Sequence, residues 1–330
     1  MFTKAQTVKK ILNSSDFDLK EMGSAFAPSN IALCKYWGKR NKTLNLPVNS
    51  SLSISLGSLG SATEIKLSTH HYDELFLNNE RVDPESTFYR RVIDFIDLIR
   101  PSRDLNLKVY TFNSIPTAAG LASSASGFAA LTMALNDFFG FNLSRKNMSI
   151  LARMGSGSAA RSLYEGFVRW NRGYSENGLD SYAEPLSETW ESLRVGIVEV
   201  TDTPKKVNSR QGMNQTTETS MLYRNWADQA ESDLKKIELA IKDNNFQLLG
   251  ETAEHNACTM HATMISSFPP LLYWLPQTVA VIHKVHQLRA EGLPVYFTID
   301  AGPNVKLLFE ATYEEDLKQH FASLNIIKPF

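Results

Sequence analysis

The sequence predicts an α+β fold, and three features predict it. Strand-like and helical stretches are intermixed without the regular alternation that builds a parallel sheet. In the second half, two long helical stretches follow each other directly, at about 218–243 and 246–264. Two apolar strands, 295–299 and 305–309, then flank a tight AGPN turn near the C-terminus.

Taken in order, Ser50 to Leu56 (SSLSISL) and Ala62 to Ser68 (ATEIKLS) alternate polar and apolar residues, the period of a half-buried strand. Residues 84–99 place Phe88, Val92, Phe95, Ile96 and Ile99 at helical spacing, with Pro101 as the stop. Leu105 to Phe112 (LNLKVYTF) returns to strand alternation and leads into a loop of small residues. From 122 to 139 the pattern is helical and crowded with Ala, Leu, Met and Phe, which predicts a buried helix. Arg194 to Val200 (RVGIVEV) reads as a strand opening the second half, and Asn244 and Asn245 separate the two long helices. The boundary falls between about 184 and 194, after Pro185, giving expected domains 1–188 and 189–330.

Bulk composition narrows the functional classes. The 330 residues suffice for one large or two ordinary domains, and 43% hydrophobic with 21% charged residues is ordinary for a globular chain. Lys and Arg total 34 against 35 Asp and Glu, a net charge of -1, so the basic excess of a nucleic-acid binder is missing. The two cysteines, Cys34 and Cys258, suit a reduced protein, and no Cys/His spacing suggests zinc. Charges interrupt the N-terminal apolar residues, and the chain lacks a membrane-length apolar run, so the expectation is a cytoplasmic protein with no membrane partner.

Four segments carry chemistry. In Asn113 to Gly127 (NSIPTAAGLASSASG) a strand gives way to a loop and then a helix. Ala118, Ala119 and Gly120 let backbone N–H groups approach an anion, the helix dipole favours it, and Ser123 and Ser124 add hydroxyls. No Lys follows the glycine, so this is not a Walker loop, and taken alone the segment reads first as a tight packing turn with a serine N-cap. Ala27 to Arg40 (APSNIALCKYWGKR) sets Asn30, Lys35, Tyr36, Lys39 and Arg40 among apolar residues, as a surface for phosphates or as a connector with solvated lysines. Gly155 to Arg161 (GSGSAAR) offers N–H groups and hydroxyls, then a helical turn with Arg161, suited to a carboxylate or phosphate. Thr298 to Asn304 (TIDAGPN) ends an apolar strand on Asp300, placed for acid/base or electrostatic work, or simply forming a turn. Ser209 and Arg210 could add a hydroxyl and a cation, whereas His261, in MHATM, reads as a packing histidine.

Together and in this order, these words resemble the diphosphomevalonate decarboxylases, a branch of the GHMP small-molecule kinase superfamily. The matching words are APSNIALCKYWGKR with LPVNSSLS, PTAAGLASSASG, GSGSAARS with GFVRW, SRQGM, MHATM with SFPP, and DAGPN, spanning about 25–305. Ala160 and Cys34 depart from the family's commoner residues. The resemblance implies a GHMP-kinase fold, with an N-terminal half like the second domain of ribosomal protein S5 and a ferredoxin-like C-terminal half. It implies ATP with Mg²⁺, a phosphorylated small-molecule substrate and a homodimer. Carried over by position, it implies that Tyr36 and Lys39 face the substrate, and that Ser156, Gly157, Ser158 and Arg161 hold its carboxylate end. Arg210 would contact a diphosphate, and Ala301 would line the substrate site. Ser209 would lie near the transferred phosphoryl group. Asp300 would be the catalytic aspartate, assisted by Arg161 and Lys39, with Arg161 keeping it ionised. Pro116, Ala118, Ala119, Gly120, Leu121, Ala122, Ser123 and Ser124 would form the ATP phosphate loop. The resemblance does not name a protein ligand for the metal.

Overall fold

A computed structural model describes residues 2–12, 17–114, 123–203 and 205–330. Helix α1 (Lys4–Leu12) precedes the long strand β1 (Gly23–Cys34). A small hairpin follows, β2 (Lys39–Asn41) and β3 (Leu46–Pro47), and then the 17-residue strand β4 (Ser51–Leu67). Next come β5 (Glu74–Leu77), β6 (Glu80–Arg81), α2 (Thr87–Ile96) and β7 (Leu107–Asn113). The buried helix α3 (Ser123–Phe138), α4 (Arg145–Gly155), β8 (Phe167–Trp170) and β9 (Ala183–Pro185) complete the first sheet and its cover. The remainder is β10 (Leu193–Val198), α5 (Ser209–Thr219), α6 (Trp226–Lys242), α7 (Phe246–Ile265), α8 (Pro276–Ala290), β11 (Tyr296–Ile299), β12 (Val305–Glu310), α9 (Glu314–His320) and β13 (Asn325–Ile327).

The first sheet runs β6-β5-β7-β4-β8-β9, with β1 paired to β4. The second is antiparallel, in the order β11-β12-β10-β13. This is the mixed α+β architecture that the sequence predicts. The two strands expected at 50–56 and 62–68 are, however, one strand: β4 pairs with β8 through Ser51–Ile54 and with β7 through Ser61–Leu67. Gly57, at φ +58, bends it between those pairings, and a bend in a strand reads as a turn from sequence. Residues 27–34 also belong to a strand rather than a connector. Register shifts at Pro28/Asn30 and Ala32/Cys34 hide its alternation. The expected helix 218–243 divides, with α5 ending at Thr219 and α6 beginning at Trp226.

One continuous apolar core joins the two sheets. Ile31, Leu33, Leu52 and Ile54 from the first pack with Val195, Ile197, Met260 and Leu308 from the second half, all at most 2% exposed. Burial on this scale, at about 25 cal/mol per Å² of apolar surface, fixes how the halves meet and therefore the site between them. Within the second half, α7 and β11 approach closely. A Cβ on Gly250 would sit 2.0 Å from Cδ2 of Tyr296. Gly250→Ala is therefore expected to destabilise the protein by about 1–3 kcal/mol through overpacking, outweighing the roughly 1 kcal/mol of helix propensity that alanine adds. The denaturant midpoint measures this, and an unchanged or raised midpoint would contradict the packing described.

Candidate active site

The short connection between β11 and β12 projects Asp300 where the two halves meet. Behind it stand two buried lysines. Lys35, just past the end of β1, donates from Nζ to Asp300 Oδ1 at 2.8 Å and to the Ala32 carbonyl at 2.7 Å. Lys306 of β12 places Nζ 3.5 Å from Asp300 Oδ2. Both lysine side chains are 2% exposed, whereas that of Asp300 is 33% exposed, so the carboxylate is anchored from behind and open in front. Desolvation alone would raise the Asp300 carboxyl. The charges of Lys35 and Lys306, the Lys35 hydrogen bond and the charge of Arg161 outweigh it and hold the group well below the usual carboxylate range.

One expectation is corrected here, and another holds with a smaller share than expected. Lys35 is not part of a phosphate-facing surface; it is an interior partner of Asp300. Arg161, expected to keep Asp300 ionised, ranks behind both lysines in that role. Turned inward on β12, Lys306 also donates to the Asn304 carbonyl at 3.3 Å. The carbonyl of Asp300 is 3.1 Å from Nε2 of His261. Burial pushes this imidazole down to about 3, against the opposing hydrogen bond to Asp300, so it is neutral, and it packs on Trp274 at 4.9 Å. His261 is thus a buried packing residue, as its helical setting suggests, that also braces the turn. Lys205 closes the other side, donating to Ser209 Oγ at 2.8 Å and to the Ala301 carbonyl at 2.7 Å. Ser209 and Ala301 are thereby brought beside Asp300.

Arg161 follows a 3-10 turn, Gly157–Ala160, rather than lying inside a regular helix. It is 3% exposed, and burial lowers its guanidinium to about 10 against the pull of Asp300. Nη1 donates to Ser51 Oγ at 2.6 Å and Nε to Asn30 Oδ1 at 3.2 Å, while Nη2 has no hydrogen-bond partner among the described residues. Asn30 is itself oriented by the Ser162 hydroxyl at 2.7 Å. The guanidinium is therefore aimed by two polar side chains, one of them positioned by a third, and Nη2 remains to donate elsewhere. Tyr36 lies against the same turn, where a Cβ on Gly157 would fall 2.9 Å from the Tyr36 hydroxyl. That hydroxyl is buried without a hydrogen-bond partner, the kind of orphan that a bound polar ligand relieves. Ser158 supplies its carbonyl to Asn30 Nδ2 at 3.5 Å.

A third group is cationic. Lys39 donates to Asn45 Oδ1 at 2.7 Å, and Asn45 Nδ2 bonds the carbonyls of Arg153 and Met154 at the end of α4. Arg91, from α2, donates to the next carbonyl, Gly155, at 2.9 Å. The carbonyl end of a helix carries partial negative charge, which favours cations there. Burial, then the charges of Arg210, Lys4, Arg91 and Lys42, bring Lys39 down to about 8. Burial and Arg210 bring Arg91 to about 10. Arg210, exposed on the first turn of α5, forms no ion pair among the described residues. Lys39, Arg91 and Arg210 thus share a field with no carboxylate partner among those residues, the arrangement that receives an anion.

Of the expected phosphate loop, Pro116, Ala118, Ala119, Gly120, Leu121 and Ala122 lie outside the described residues. Ser123 and Ser124 begin α3, and the Ser124 hydroxyl is 3.3 Å from that of Ser156, which connects the helix start to the Gly-Ser-Gly-Ser turn. A cavity of about 270 Å³ opens beside them. Its apolar walls include Leu75, Leu77, Phe88 and Val92, with Asn113 at one side. Sequence reasoning gave Lys35 a different role and missed Lys306, Lys205 and Arg91 as site residues. Lys35 lies inside a recognisable word and Lys205 and Lys306 stand a few residues from one; Arg91 carries no local signal.

An open carboxylate between two halves, an aimed arginine and an unneutralised cation cluster define an enzyme that handles a small anionic molecule on a GHMP-kinase fold. The family profile described as "Diphosphomevalonate decarboxylase-like N-terminal domain" matches residues 27–183, and "Mevalonate 5-diphosphate decarboxylase C-terminal domain" matches 195–327. The chain belongs to the diphosphomevalonate decarboxylase family. It is 38% identical over 306 residues to the diphosphomevalonate decarboxylase of Aspergillus fumigatus, covering 86% of this chain and 75% of that one. The human relative is 36% identical, over 84% and 74%. Among solved structures, mevalonate diphosphate decarboxylase from Staphylococcus aureus matches with TM-score 0.88 and 38% identity over 94% of this chain and 96% of that one. A complex of MDDEF with MVAPP, AMPPCP and magnesium matches with TM-score 0.85 and 42% identity over 92% and 95%.

The Lys35–Asp300 pair has a pH signature. The Asp300 carboxyl is lower in the folded chain than its ordinary 3.8, so its stabilisation is present above that value and is lost only as pH falls below it. Lys35→Met should raise the carboxyl, move the acid limb of kcat/KM to higher pH and cost about 3–5 kcal/mol of stability. An acid limb that stays in place would contradict the pairing.

Proposed function

We infer that this chain catalyses the ATP-dependent decarboxylation of (R)-5-diphosphomevalonate to isopentenyl diphosphate, releasing ADP, phosphate and CO₂. The observation that carries the reading is Asp300, held as a carboxylate by Lys35 and Lys306, partly exposed and within the field of Arg161. Family membership supplies the reaction.

A tertiary alcohol leaves poorly, so its oxygen must first take the γ-phosphoryl group of ATP. Such transfer is mainly positioning and charge stabilisation. Ser123, Ser124 and Ser209 would hold the phosphates, and the cavity beside Ser124 suits the nucleotide base. Magnesium, which prefers phosphate oxygens and few protein ligands, would be held with the serine hydroxyls there and would neutralise phosphate charge. Asp300 would accept a hydrogen bond from the 3-hydroxyl and orient it. Because the carboxyl lies so far below the usual range it is a weak base, so the hydroxyl proton passes to it late, as the oxygen bonds phosphorus, and goes on to the departing phosphate. Once phosphate departs, the same carboxylate stabilises positive charge at C3. The C1–C2 bond then breaks, its electrons form the C2–C3 double bond, and CO₂ leaves. Arg161 would hold the substrate carboxylate through its free Nη2, with Tyr36, Ser156, Gly157 and Ser158 around it. Lys39, Arg91 and Arg210 would bind the diphosphate.

We further propose that 1–188 and 189–330 are the two domains, the first carrying the nucleotide loop and the second completing the substrate site. Cytoplasmic residence is part of the proposal, supported by the free thiols of Cys34 and Cys258. No described helix is long and apolar enough to cross a membrane. A homodimer, which the resemblance implies, is checked by sedimentation.

The reading is tested by incubating the protein with ATP, Mg²⁺ and either the 5-diphosphate or 5-monophosphate of mevalonate while following ADP and CO₂. Equal amounts of ADP and CO₂ with the diphosphate are expected. ADP without CO₂ would make the enzyme a 3-kinase. Asp300→Asn should lower kcat by about 10²–10³-fold with the fold intact. Turnover within a few-fold of the unaltered enzyme would remove Asp300 from its role.

A further inference from the structure

Helix α1 lies outside both family matches, which begin at residues 27 and 195. Its sequence, KAQTVKKIL, buries Thr7, Val8 and Ile11, and the Thr7 hydroxyl donates to the Asn177 carbonyl at 3.1 Å. This fixes the helix beside the end of α4 and brings its first residue to the site. Lys4 Nζ donates to the Met154 carbonyl at 2.8 Å, the same carbonyl that receives Asn45 Nδ2 at 3.2 Å. One carbonyl group thus holds Lys4 directly and Lys39 through Asn45, while the adjacent Gly155 carbonyl holds Arg91.

Burial, then the charges of Arg210 and Arg91, lower the Lys4 ammonium, and only Asp94, the weakest contributor, opposes them. Lys4 forms no salt bridge among the described residues. An ammonium has three donors, and the Met154 carbonyl uses one. Three cations gathered on helix-end carbonyls, Lys4 and Arg91 directly and Lys39 through Asn45, repel one another and feel the charge of Arg210, and a bound anion converts that repulsion into attraction. A lysine placed only to cap α4 would have no need of this company.

We propose that Lys4, carried in by α1, is a further ligand for the diphosphate end of the substrate, completing the cluster of Lys39, Arg91 and Arg210. The proposal rests on the reading of that cluster as the diphosphate site. Lys4 then determines affinity for the doubly phosphorylated end and takes no part in the reacting bonds.

The test compares Lys4→Met, Lys4→Gln and Lys4→Arg in the full-length enzyme, with exposed Lys9→Gln on the same helix as control. A charge-assisted hydrogen bond predicts a KM for the diphosphate substrate raised roughly tenfold in Lys4→Met and Lys4→Gln. Their kcat and ATP KM should stay within about twofold, inhibition by inorganic pyrophosphate should weaken in parallel, and Lys4→Arg should restore most of the loss. Lys9→Gln should behave as the unaltered enzyme. A lowered unfolding midpoint with unchanged substrate KM and pyrophosphate inhibition would overturn the proposal and leave Lys4 as a helix cap. Arg210→Gln separates the two levels of inference. If it raises the diphosphate KM while the Lys4 variants do not, the Lys4 proposal alone fails. If it too leaves that KM unchanged, the diphosphate site itself is wrongly placed.

Discussion

The arrangement depends on one buried ionic contact, Lys35 with Asp300, reinforced by Lys306. A lysine with a 2% exposed side chain is costly to desolvate unless it meets a carboxylate, and the nearest lies 265 residues along the chain. The contact therefore requires the two sheets to meet in a particular register. The shared core supplies that register, and smaller bonds refine it: Lys35 N–H donates to Asn256 Oδ1 at 2.8 Å, and Asn256 Nδ2 donates to Asp233 Oδ2 at 2.9 Å. Two cations against one carboxylate also leave Asp300 a weak base with a persistent negative charge. That property suits stabilisation of a cationic centre better than removal of a proton.

The second organising feature is the C-terminal end of α4. Its last carbonyls accept from Lys4, Asn45 and Arg91, so a helix end serves as the template on which cations are spaced. Immediately afterwards the chain turns through Ser156–Ser158 to Arg161. A single element boundary thus sets both the cation cluster and the arginine expected to meet the substrate carboxylate. The Ser124–Ser156 contact ties the same boundary to the start of α3. The start of α3 and the Gly-Ser-Gly-Ser turn are therefore joined at one boundary, the kind of proximity that phosphoryl transfer requires.

Much of this was legible in the residues. Buried helix α3, the β11–β12 hairpin and the Asn244–Asn245 break follow local rules, since Asn244 takes φ +48 and Asn245 caps α7. The words around Tyr36, Arg161 and Asp300 marked segments that the fold does bring together. What stayed hidden was long-range or irregular. Bulges masked β1, Gly57 split the pattern of β4, and α5 (SRQGMNQTTET) is too polar to show a helical stripe. Lys35, just past β1, and Lys306, on β12, look like ordinary lysines, because the contact that orients Lys35 is with a carboxylate far away in sequence. Arg91 sits among the polar residues of an amphipathic helix, where an arginine is by default solvated.

The central claim is that Asp300 remains an anion because Lys35 and Lys306 hold it so. The direct measurement is a carboxyl titration of aspartate labelled with ¹³C, with the Asp300 signal assigned by comparison with Asp300→Asn. The account predicts no inflection for this signal between pH 7 and pH 4. An inflection at pH 4 or above would show an ordinary or raised carboxyl and would contradict the electrostatic basis of the site.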